Sequence, residues 1–339
     1  MDTPIDIVIP WVDGDDPEWK KEFEIYKKAM DASFDGFSNS VIRYTDWGTL
    51  KYWFRAIEKY MSWINRIFFV TWGHLPDFIN PDNPKLRVVR HDEYIPREYL
   101  PTFNSNTIEM NLWRIPDLSE NFIIFNDDYY VLNYMDEDYY FQNSIVCDEA
   151  VESPIMPLDV GDPSNYACWV KANNIILLNR HFNKREVQRV NKDKWFDDSY
   201  GNLLERNERL SYWNNFCGFH DPHLPNGLKK STLEKIWQVE YQALDRSSRN
   251  RFRAANDISW FLARYWQLCS GDFVPRMAQG KSILITEKNY REVADIILNK
   301  AYPVICLSEK FNIEYFHEIK LEINTAFDEL FPVKSSFEK

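Results

Sequence analysis

The sequence has few cysteines, no excess of positive charge and no long apolar run, and each lack excludes a class of protein. Its 5 cysteines among 339 residues form no CxxC pair and no zinc-ligand spacing, so we expect reduced, mostly buried thiols, as in a cytosolic protein. With 40 Lys and Arg against 52 Asp and Glu, the net charge is -12, whereas a nucleic-acid-binding protein needs a basic surface that faces the phosphates. A small phosphorylated substrate is not excluded, because a few local cations can bind one.

No segment has the pattern of a membrane span or of a targeting signal. A span needs roughly twenty consecutive apolar residues, and no run in the sequence approaches that length. The first apolar run, Ile5 to Ile9, is short and flanked by acids, unlike the basic start and longer apolar stretch of a signal peptide. The sequence therefore predicts a cytoplasmic protein, and a peripheral association with the inner face of the cell membrane stays open.

Aromatic side chains are abundant. They make up 16% of the residues, with 13 Trp and 19 Tyr. Aromatic rings bury large areas, so many of them belong in the core. They also stack on sugar faces and nucleobases, which suits a carbohydrate enzyme.

Strands and helices alternate along the first 150 residues. Ile5 to Val12 is a nearly continuous β-branched run, as expected for a strand covered on both faces. Glu18 to Ala29 has early acids and late lysines, as in a helix. The further predicted elements are a helix over 48–61, strands at 67–71, 86–89 and 122–125, and a helix over 107–118. This order predicts an α/β fold with a doubly wound, mostly parallel sheet.

The rest of the chain divides into two parts. A helical, charged part is interrupted by the break from Gly218 to Gly227, and strands are predicted again at 282–286 and 303–307. We therefore predict an α/β part over 1–180, a helical insertion over 181–275 and a C-terminal α/β part over 276–339. We expect the last part to rejoin the sheet. The sequence contains no internal repeat and no low-complexity linker.

Two acidic clusters follow predicted strands. Asp13-Gly14-Asp15-Asp16-Pro17 follows the first strand, and Asn126-Asp127-Asp128 follows the strand at 122–125. Ligands of such sheets bind beyond the carboxyl ends of the strands. The adjacent carboxylates Asp127 and Asp128 could hold Mg²⁺ or Mn²⁺, or one could be a general base. A surface Asx turn explains such a pair equally well. Gly14 permits a close approach of the backbone to a ligand, and one of the neighbouring acids could cap the next helix.

Three further motifs allow both a chemical and a structural interpretation. Thr102 to Asn106 precedes a helix, so its polar groups cap that helix or bind an anion there, and the spacing favours capping. His220-Asp221-Pro222-His223 could be a metal pair, a base with its orienting group, or plain loop residues. Arg249 to Arg253 offers cations for a phosphate, or starts a solvated helix.

Several blocks of this sequence resemble conserved blocks of the Stealth family. Ile5 to Pro17 resembles the first block, with Pro10 where many members have Thr. The second block runs in the same order as in the family, in these segments: Arg43-Tyr44-Thr45-Asp46-Trp47, Ile67 to Gly73, Leu100 to Ser105, Ile108-Glu109, Leu118-Ser119-Glu120 and Phe125-Asn126-Asp127-Asp128. The family consists of sugar-1-phosphate transferases that include bacterial capsule phosphotransferases and the animal lysosomal-enzyme GlcNAc-1-phosphotransferase.

The third and fourth blocks are similar in part. His220 to His223, followed by Phe252 to Asp257, resembles the third block. The fourth block commonly has a Cys-hydrophobic-Asn-Asp sequence in the family, and this chain has Cys306-Leu307-Ser308-Glu309 there. Glu309 would have to replace the acid, so no role is carried over to it.

The resemblance implies a nucleotide-sugar-transferase-like fold and a specific reaction. A sugar-1-phosphate would move from a nucleotide-sugar to a hydroxyl of an acceptor glycan, forming a phosphodiester of capsular or exopolysaccharide and releasing a nucleoside monophosphate. Asp128 or Asp127 would be the base, and His220 and Arg253 would stabilise charge on the phosphoryl group. Mg²⁺ (or Mn²⁺) is the implied cofactor, with Asp127 and Asp128 as its candidate ligands.

The same resemblance implies a set of substrate-binding residues and partners. Asp13 and Gly14 would line the nucleotide pocket, supported by Arg43 and Asp46. The other residues placed at the substrate are Asn104, Ser105, Glu109, Asn126, His223 and Asp257. The partners are a nucleotide-sugar donor and a glycan acceptor, with peripheral contact to membrane-bound polysaccharide-synthesis machinery left open. The alternatives are an ordinary glycosyltransferase that releases a nucleoside diphosphate, and a non-catalytic carbohydrate-binding protein.

Overall fold

The computed structural model of the protein describes residues 3–30, 44–157, 165–311 and 313–339. Arg43, which the sequence places at the substrate, lies outside these residues. The strands are β1 (Ile5–Trp11), β2 (Ile67–Thr71), β3 (Leu86–Arg90), β4 (Asn121–Ile124), β5 (Tyr129–Val131), β6 (Phe141–Gln142), β7 (Ile145–Asp148), β8 (Asn226–Lys229), β9 (Phe273–Pro275), β10 (Lys281–Ile285) and β11 (Val304–Glu309).

The helices follow the same chain order. They are α1 (Pro17–Lys28), α2 (Leu50–Tyr60), α3 (His91–Tyr94), α4 (Ser105–Met110), α5 (Asn165–His181), α6 (Lys184–Val190), α7 (Lys192–Trp195), α8 (Leu204–Leu210), α9 (Lys230–Val239), α10 (Tyr241–Ser248), α11 (Phe261–Ser270), α12 (Tyr290–Leu298) and α13 (Phe316–Leu330). Short 3₁₀ turns lie at Arg97–Tyr99, Leu112–Arg114, Glu137–Tyr139, Asp198–Leu203 and Ile313–Tyr315. The fold is mixed α/β, as the alternating pattern predicts.

The main sheet is mostly parallel. In the described part of the chain its order is β3-β2-β1-β4-β8, with β8 antiparallel to β4 and the other pairs parallel. The chain adds β2 and β3 on one side of β1 and then places β4 on the other side. The order of strands therefore reverses between β1 and β4, and ligands of open α/β sheets bind beyond the carboxyl ends of the strands at such a point.

Both faces of the main sheet are covered, which is why its strands appear as continuous apolar runs in the sequence. Along β1, Ile7 and Ile9 face a core shared with α2, α12 and α13. Val8 faces a second core shared with α5, α9 and α11. Since the first core contains residues from both ends of the chain, the N- and C-terminal parts pack as one body around the sheet. The division at 180 and 275 stays a prediction.

The C-terminal strands do not rejoin the main sheet, so that expectation is wrong. Strands β10 and β11 pair in parallel, and β11 pairs antiparallel with β5 in a separate three-stranded sheet. The place beside β4 is taken instead by β8, which lies inside the part predicted to be helical. The chain leaves the main sheet directly after the acidic turn, and the next strand, β5, forms its hydrogen bonds with β11.

The helix predicted over 107–118 is shorter and begins earlier. The α4 helix runs over Ser105–Met110, and a 3₁₀ turn follows it. Asn104 caps α4 because its side chain accepts a hydrogen bond from the Asn106 N–H, which confirms the capping interpretation of this segment. In the described residues no helix combines the length and the apolar character that crossing a bilayer requires.

Candidate functional site

A cavity of about 570 Å³ opens at the carboxyl ends of β1 and β4. Its wall is built from segments that are far apart in the chain: the end of β1, the approach to α2, the start of α4, the acidic turn, α5, the loop before β8, the loop before α11, and β11. The cavity therefore lies where the reversal of strand order predicts a ligand crevice.

Eight of the residues predicted from the sequence line this cavity. They are Asp46, Ser105, Glu109, Asn126, Asp127, Asp128, His223 and Arg253. Five others that the structure describes are not part of the lining: Asp13, Gly14, Asn104, His220 and Asp257. Each of these five contacts or supports a neighbouring group instead.

The acidic turn is held between the two sheets. The Asn126 carbonyl accepts a hydrogen bond from the Tyr129 N–H at 3.2 Å, which closes the turn after β4. The Asp128 carbonyl accepts one from the Leu307 N–H of β11 at 2.9 Å. The side chains of Asn126, Asp127 and Asp128 all line the cavity. The turn is thus part of a concave site and not a solvated loop on a convex surface.

The cavity wall is rich in carboxylates. Within the described residues these are Asp46, Glu109, Asp127, Asp128, Asp221 and Glu309. Enclosure by the surrounding protein, and then the carboxylate of Asp128, raises the pKa of Asp127 to about 8. The Asp127 side chain nevertheless stays open to water in the cavity, and this water weakens the effect of enclosure. Burial likewise raises the pKa of Asp46. Such a wall favours the binding of a cation.

Glu109 is the most deeply buried acid of the wall that titrates near neutral pH. Only 6% of its surface is exposed. Burial raises the pKa of Glu109 to about 8, the nearby Arg253 opposes the shift, and Asp128 adds to it. The carboxyl is therefore protonated below that pH, when it can donate a hydrogen bond into the cavity.

Replacing Glu109 by glutamine should flatten the pH dependence of stability. The folded protein holds a proton on Glu109 up to about pH 8, while the unfolded chain releases it above about pH 4.3. Between these values the group makes the parent less stable as pH rises, by at most about 1.4 kcal/mol per pH unit. Glutamine carries no such proton, so urea unfolding of the variant should show a smaller loss of stability between about pH 5 and about pH 8.

The control is Glu137→Gln, because Glu137 is exposed and is not part of the cavity lining. This variant should keep the slope of the parent. An equal slope for Glu109→Gln and the parent would show that Glu109 does not hold the proton.

His223, and not His220, is the histidine that the structure brings to the acidic turn. Its Nδ1 lies 3.2 Å from the Cys306 Sγ, which in turn lies 3.4 Å from the Asp128 Oδ2. The ring packs edge-on against Tyr129. His223 has a φ of 53°, a left-handed conformation that costs a non-glycine residue about 1–3 kcal/mol. The loop adopts this strained conformation, and in it the His223 ring reaches the cavity.

His220 is not part of the cavity lining and contacts a buried acid instead. Its Nδ1 lies 2.5 Å from the buried carboxylate of Glu149, and its carbonyl accepts from the fully buried Arg264. Arg264 also pairs with Asp148 and with Asp221 of the cavity wall. His220 thus belongs to a charged network that supports the loop carrying His223.

Two cations line the cavity together with the carboxylates in the described part of the chain. Arg253 donates from Nη2 to the Ser105 Oγ at 3.1 Å. Lys171, on α5, lies 2.8 Å from the Asp221 Oδ2. The sequence points to Arg253 through a motif but misses Lys171, because a single lysine on a helix has no pattern that marks it. Both are placed to bind an anionic group such as a phosphate.

Asn104 and Asp257 form a buried frame behind the wall. The Asn104 Nδ2 donates to the Asp257 Oδ2 at 2.9 Å, and this carboxylate also accepts from the Tyr166 hydroxyl at 2.6 Å. Tyr166 lines the cavity. These two predicted site residues therefore position a wall residue and lie outside the lining themselves.

Asp13 and Gly14 shape the rim after β1. The Asp13 N–H donates to the His74 Nε2 at 2.8 Å, and Asp16 caps α1. At Gly14 a Cβ atom would lie 2.2 Å from the Tyr44 carbonyl oxygen. The glycine thus permits a close approach of Tyr44, a residue of the cavity wall, and not of a ligand.

Aromatic rings cover a large part of the remaining wall. Those that line the cavity are Trp11, Trp19, Tyr44, Trp47, Phe103, Tyr130, Tyr166, Trp260 and Phe261. Their faces and edges suit the stacking of a nucleobase or a sugar ring.

The same wall contains His91, which no motif of the sequence marks. Burial lowers the pKa of His91 to about 3, so its ring stays neutral.

The acidic turn fits a hard cation that arrives with phosphate. Among the described residues, the one group of three close ligand atoms is Asp128, His223 and Cys306, which offers a single oxygen ligand. No three carboxylates of the described residues bring their oxygens together as such a group. Mg²⁺ usually keeps several waters and binds through one or two carboxylates and the phosphates of a substrate, and Asp127 and Asp128 can supply that number.

Two conserved-region models of one family match the chain. "Stealth protein CR1, conserved region 1" matches residues 3–31, and "Stealth protein CR2, conserved region 2" matches residues 43–148. The second match contains the acidic turn and the residues of α4. Both agree with the first two blocks seen in the sequence.

Curated relatives match over nearly the whole length. A capsular polysaccharide phosphotransferase WcwK of Streptococcus pneumoniae is 38% identical over 336 residues, covering 99% of this chain and 98% of the relative. An exopolysaccharide phosphotransferase cps2G of Lactiplantibacillus plantarum is 34% identical over 338 residues, covering 99% and 96%. A receptor polysaccharide phosphotransferase WefC of Streptococcus oralis is 34% identical over 341 residues, covering 98% and 99%.

Proposed function

The chain belongs to the Stealth family of polysaccharide phosphotransferases, and from that premise we propose that it transfers a sugar-1-phosphate from a nucleotide-sugar to a hydroxyl of an acceptor glycan. The product would be a phosphodiester of a capsular polysaccharide or exopolysaccharide, and a nucleoside monophosphate would leave. The observation that supports this most is the cavity itself, which sets two cations and an aromatic wall against the paired carboxylates of the acidic turn.

The proposed step is a displacement at phosphorus. The acceptor oxygen forms a bond to the β-phosphorus of the donor while the bond between this phosphorus and the bridging oxygen breaks. The leaving nucleoside monophosphate takes the electron pair of the broken bond, and the acceptor proton passes to a protein base. Because little covalent chemistry falls to the protein in such reactions, positioning and charge neutralisation carry most of the catalysis.

Asp128 is the proposed base. It lines the cavity, its backbone is fixed by β11, and its Oδ2 is held near Cys306 and His223. Asp127 lies on the side of the wall that also carries Glu309 and Asp46, which suits a cation. We assign Asp127, together with Asp128, to hold Mg²⁺ (or Mn²⁺), which would neutralise pyrophosphate charge when bound.

Arg253 and Lys171 are the proposed partners of the donor phosphates. Both line the cavity, and the fork of a guanidinium matches two phosphate oxygens. His223 takes the role that the sequence resemblance gives to His220, because it is the histidine that reaches the wall. The aromatic wall would stack on the base and sugar of the donor.

The released nucleotide tests this proposal. The purified protein is incubated with a set of nucleotide-sugars, Mg²⁺ and an acceptor glycan, and the nucleotide products are separated by chromatography. We expect a nucleoside monophosphate in equal amount to a phosphodiester product, and neither from Asp128→Asn. A nucleoside diphosphate with no phosphate in the glycan would identify an ordinary glycosyltransferase and overturn the proposal.

The two histidines of one loop give a matched pair of variants. His223→Asn should lower kcat roughly 10²-fold, since it removes the ring at the acidic turn. The factor by which His220→Asn lowers kcat should be at least roughly ten times smaller than the factor for His223→Asn, because His220 contacts Glu149 outside the cavity lining. The measurement is initial rate per folded protein, with circular dichroism to check folding. Equal losses, or a larger loss for His220, would contradict the assignment.

A further inference from the structure

At the floor of the cavity, a nitrogen and a sulfur ligand atom lie beside the Asp128 carboxylate. Asp128, His223 and Cys306 each direct one ligand atom to a common point, and these atoms all lie within 4.8 Å of one another. Asp128 and His223 line the cavity, while Cys306 is fully buried beneath them. The group is therefore closed on the side of the core and open on the side of the substrate.

The chemistry of the three atoms selects a class of metal. A carboxylate oxygen, an imidazole nitrogen and a sulfur are the ligands of Zn²⁺ and its neighbours in the transition series. Mg²⁺ and Ca²⁺ prefer oxygen ligands alone. Three protein ligands with an open fourth position are also the arrangement of zinc sites that bind water or substrate.

The distances agree with that class of metal. Bonds of about 2.0–2.3 Å in a tetrahedron put neighbouring ligand atoms roughly 3.3–3.8 Å apart. The Cys306 Sγ lies 3.4 Å from the Asp128 Oδ2 and 3.2 Å from the His223 Nδ1. The Asp128 and His223 ligand atoms lie within 4.8 Å of each other, so binding an ion would draw this third pair together by at most about 1.5 Å. The left-handed backbone at His223 already directs its ring towards Cys306.

We propose that Asp128, His223 and Cys306 form a binding site for Zn²⁺ or a similar borderline metal ion, that this site shares Asp128 with the proposed Mg²⁺ ligands, and that its occupation inhibits the enzyme. The ion takes the Asp128 oxygen that would accept the acceptor proton. The existence of the site is independent of the reaction, whereas the inhibition rests on the proposed function.

Binding is balanced by the release of a proton. Without metal the thiol donates its hydrogen bond to the Asp128 carboxylate. When Zn²⁺ binds, a zinc–sulfur bond forms, the sulfur–hydrogen bond breaks, and the proton leaves to solvent. His223 binds through the lone pair of Nδ1 and keeps its proton on Nε2. Zinc binding should therefore tighten as pH rises.

Co²⁺ as a spectroscopic substitute tests the site without any activity assay. Its bond to a thiolate gives a charge-transfer absorption in the near ultraviolet, so the protein is titrated with Co²⁺ in the presence of a reductant that does not chelate metals. We expect one equivalent bound with that band, displaced by Zn²⁺. Cys306→Ser should lose the band and weaken Zn²⁺ binding by more than about 100-fold, beyond the usual effect of losing an outer partner of a metal ligand.

Cys168→Ser is the matched control. Cys168 is partly exposed and lies on α5, which makes it a thiol to which an adventitious ion could bind. This variant should keep the band and the affinity of the parent. A band that survives in Cys306→Ser, or that disappears in Cys168→Ser, would overturn the proposed site. His223→Gln repeats the test if Cys306→Ser does not fold.

Inhibition is then measured in the nucleotide-release assay with excess Mg²⁺. Each variant is compared with its own rate without Zn²⁺. Zn²⁺ should inhibit the parent and Cys168→Ser at the concentration at which Co²⁺ is displaced, and Cys306→Ser should need more than about 100 times as much. Metal binding without inhibition would keep the site and reject its effect on Asp128. A protein with no transferase activity would fail the proposed function, while the absorption titration would still decide on the site.

Discussion

The Asp128→Asn variant should turn over roughly 10²–10⁴ times more slowly than the parent, the range over which general-base catalysis accelerates reactions. Asparagine has the size of aspartate but cannot take the acceptor proton. Its amide can still occupy the space between Cys306 and the cavity, so the turn should keep its shape. We expect kcat to fall far more than the donor KM rises, measured by nucleoside monophosphate release at saturating donor and Mg²⁺.

The Asp127→Asn variant distinguishes the roles of the two carboxylates of the turn. If Asp127 holds the metal ion, this variant should need more Mg²⁺ for half-maximal rate and should recover part of its kcat at high Mg²⁺. Asp128→Asn should not recover. The reverse pattern, with Asp127→Asn beyond rescue and Asp128→Asn rescued by Mg²⁺, would exchange the two roles.

Replacing Arg253 by alanine should lower kcat by about 10²–10³-fold, as the loss of one preorganised donor to a developing charge usually does. Arg253 lies in the cavity wall and donates a hydrogen bond to the Ser105 hydroxyl. Arg253→Lys keeps the charge but loses the fork of donors, so its rate should lie between those of alanine and the parent. Steady-state rates at saturating donor measure both variants.

Arg249→Ala is the control from the same arginine-rich stretch. The Arg249 side chain is 52% exposed and pairs with Asp245 on the same surface, and exposed pairs contribute little to stability. Its rate should stay close to that of the parent. A loss as large as that of Arg253→Ala would mean that the stretch binds the substrate as a charged surface and not through one positioned guanidinium.

The strands that are buried on both faces could be predicted from the sequence alone. Strands β1, β2 and β4 are nearly continuous apolar runs because each strand contacts a core on both sides. Their order then placed the acidic turn at a strand end, where the cavity opens. The pattern that located the turn is therefore a direct consequence of burial.

The assignment of the histidine could not be predicted in this way. His220 and His223 are three residues apart in one loop, and nothing in their spacing says which of the two lines the cavity. The choice is made by the left-handed backbone at His223 and by Glu149, 71 residues away, which binds His220. Both are properties of the folded chain.

The role of the C-terminal strands also depends on distant pairing. A strand pattern near residue 305 is visible in the sequence, but its partner is not. The strand beside β4 is β8. It has only four residues, and it is too short and too polar to be recognised as a strand within a part predicted to be helical. As a result Glu309 lines the cavity and Cys306 lies buried beneath it, both on a strand of a second sheet, which their sequence pattern does not indicate.

The hydrogen bond between β11 and the acidic turn also limits when the site can form during synthesis. Asp128 and Cys306 are 178 residues apart. A growing chain therefore contains the complete acidic turn long before β11, the strand that binds the turn, has left the ribosome. Until then, β5 has an open edge, which can pair wrongly with other strands. The turn thus gains its hydrogen bond to β11 only after that strand has been synthesised, so a chain without β11 lacks the complete site.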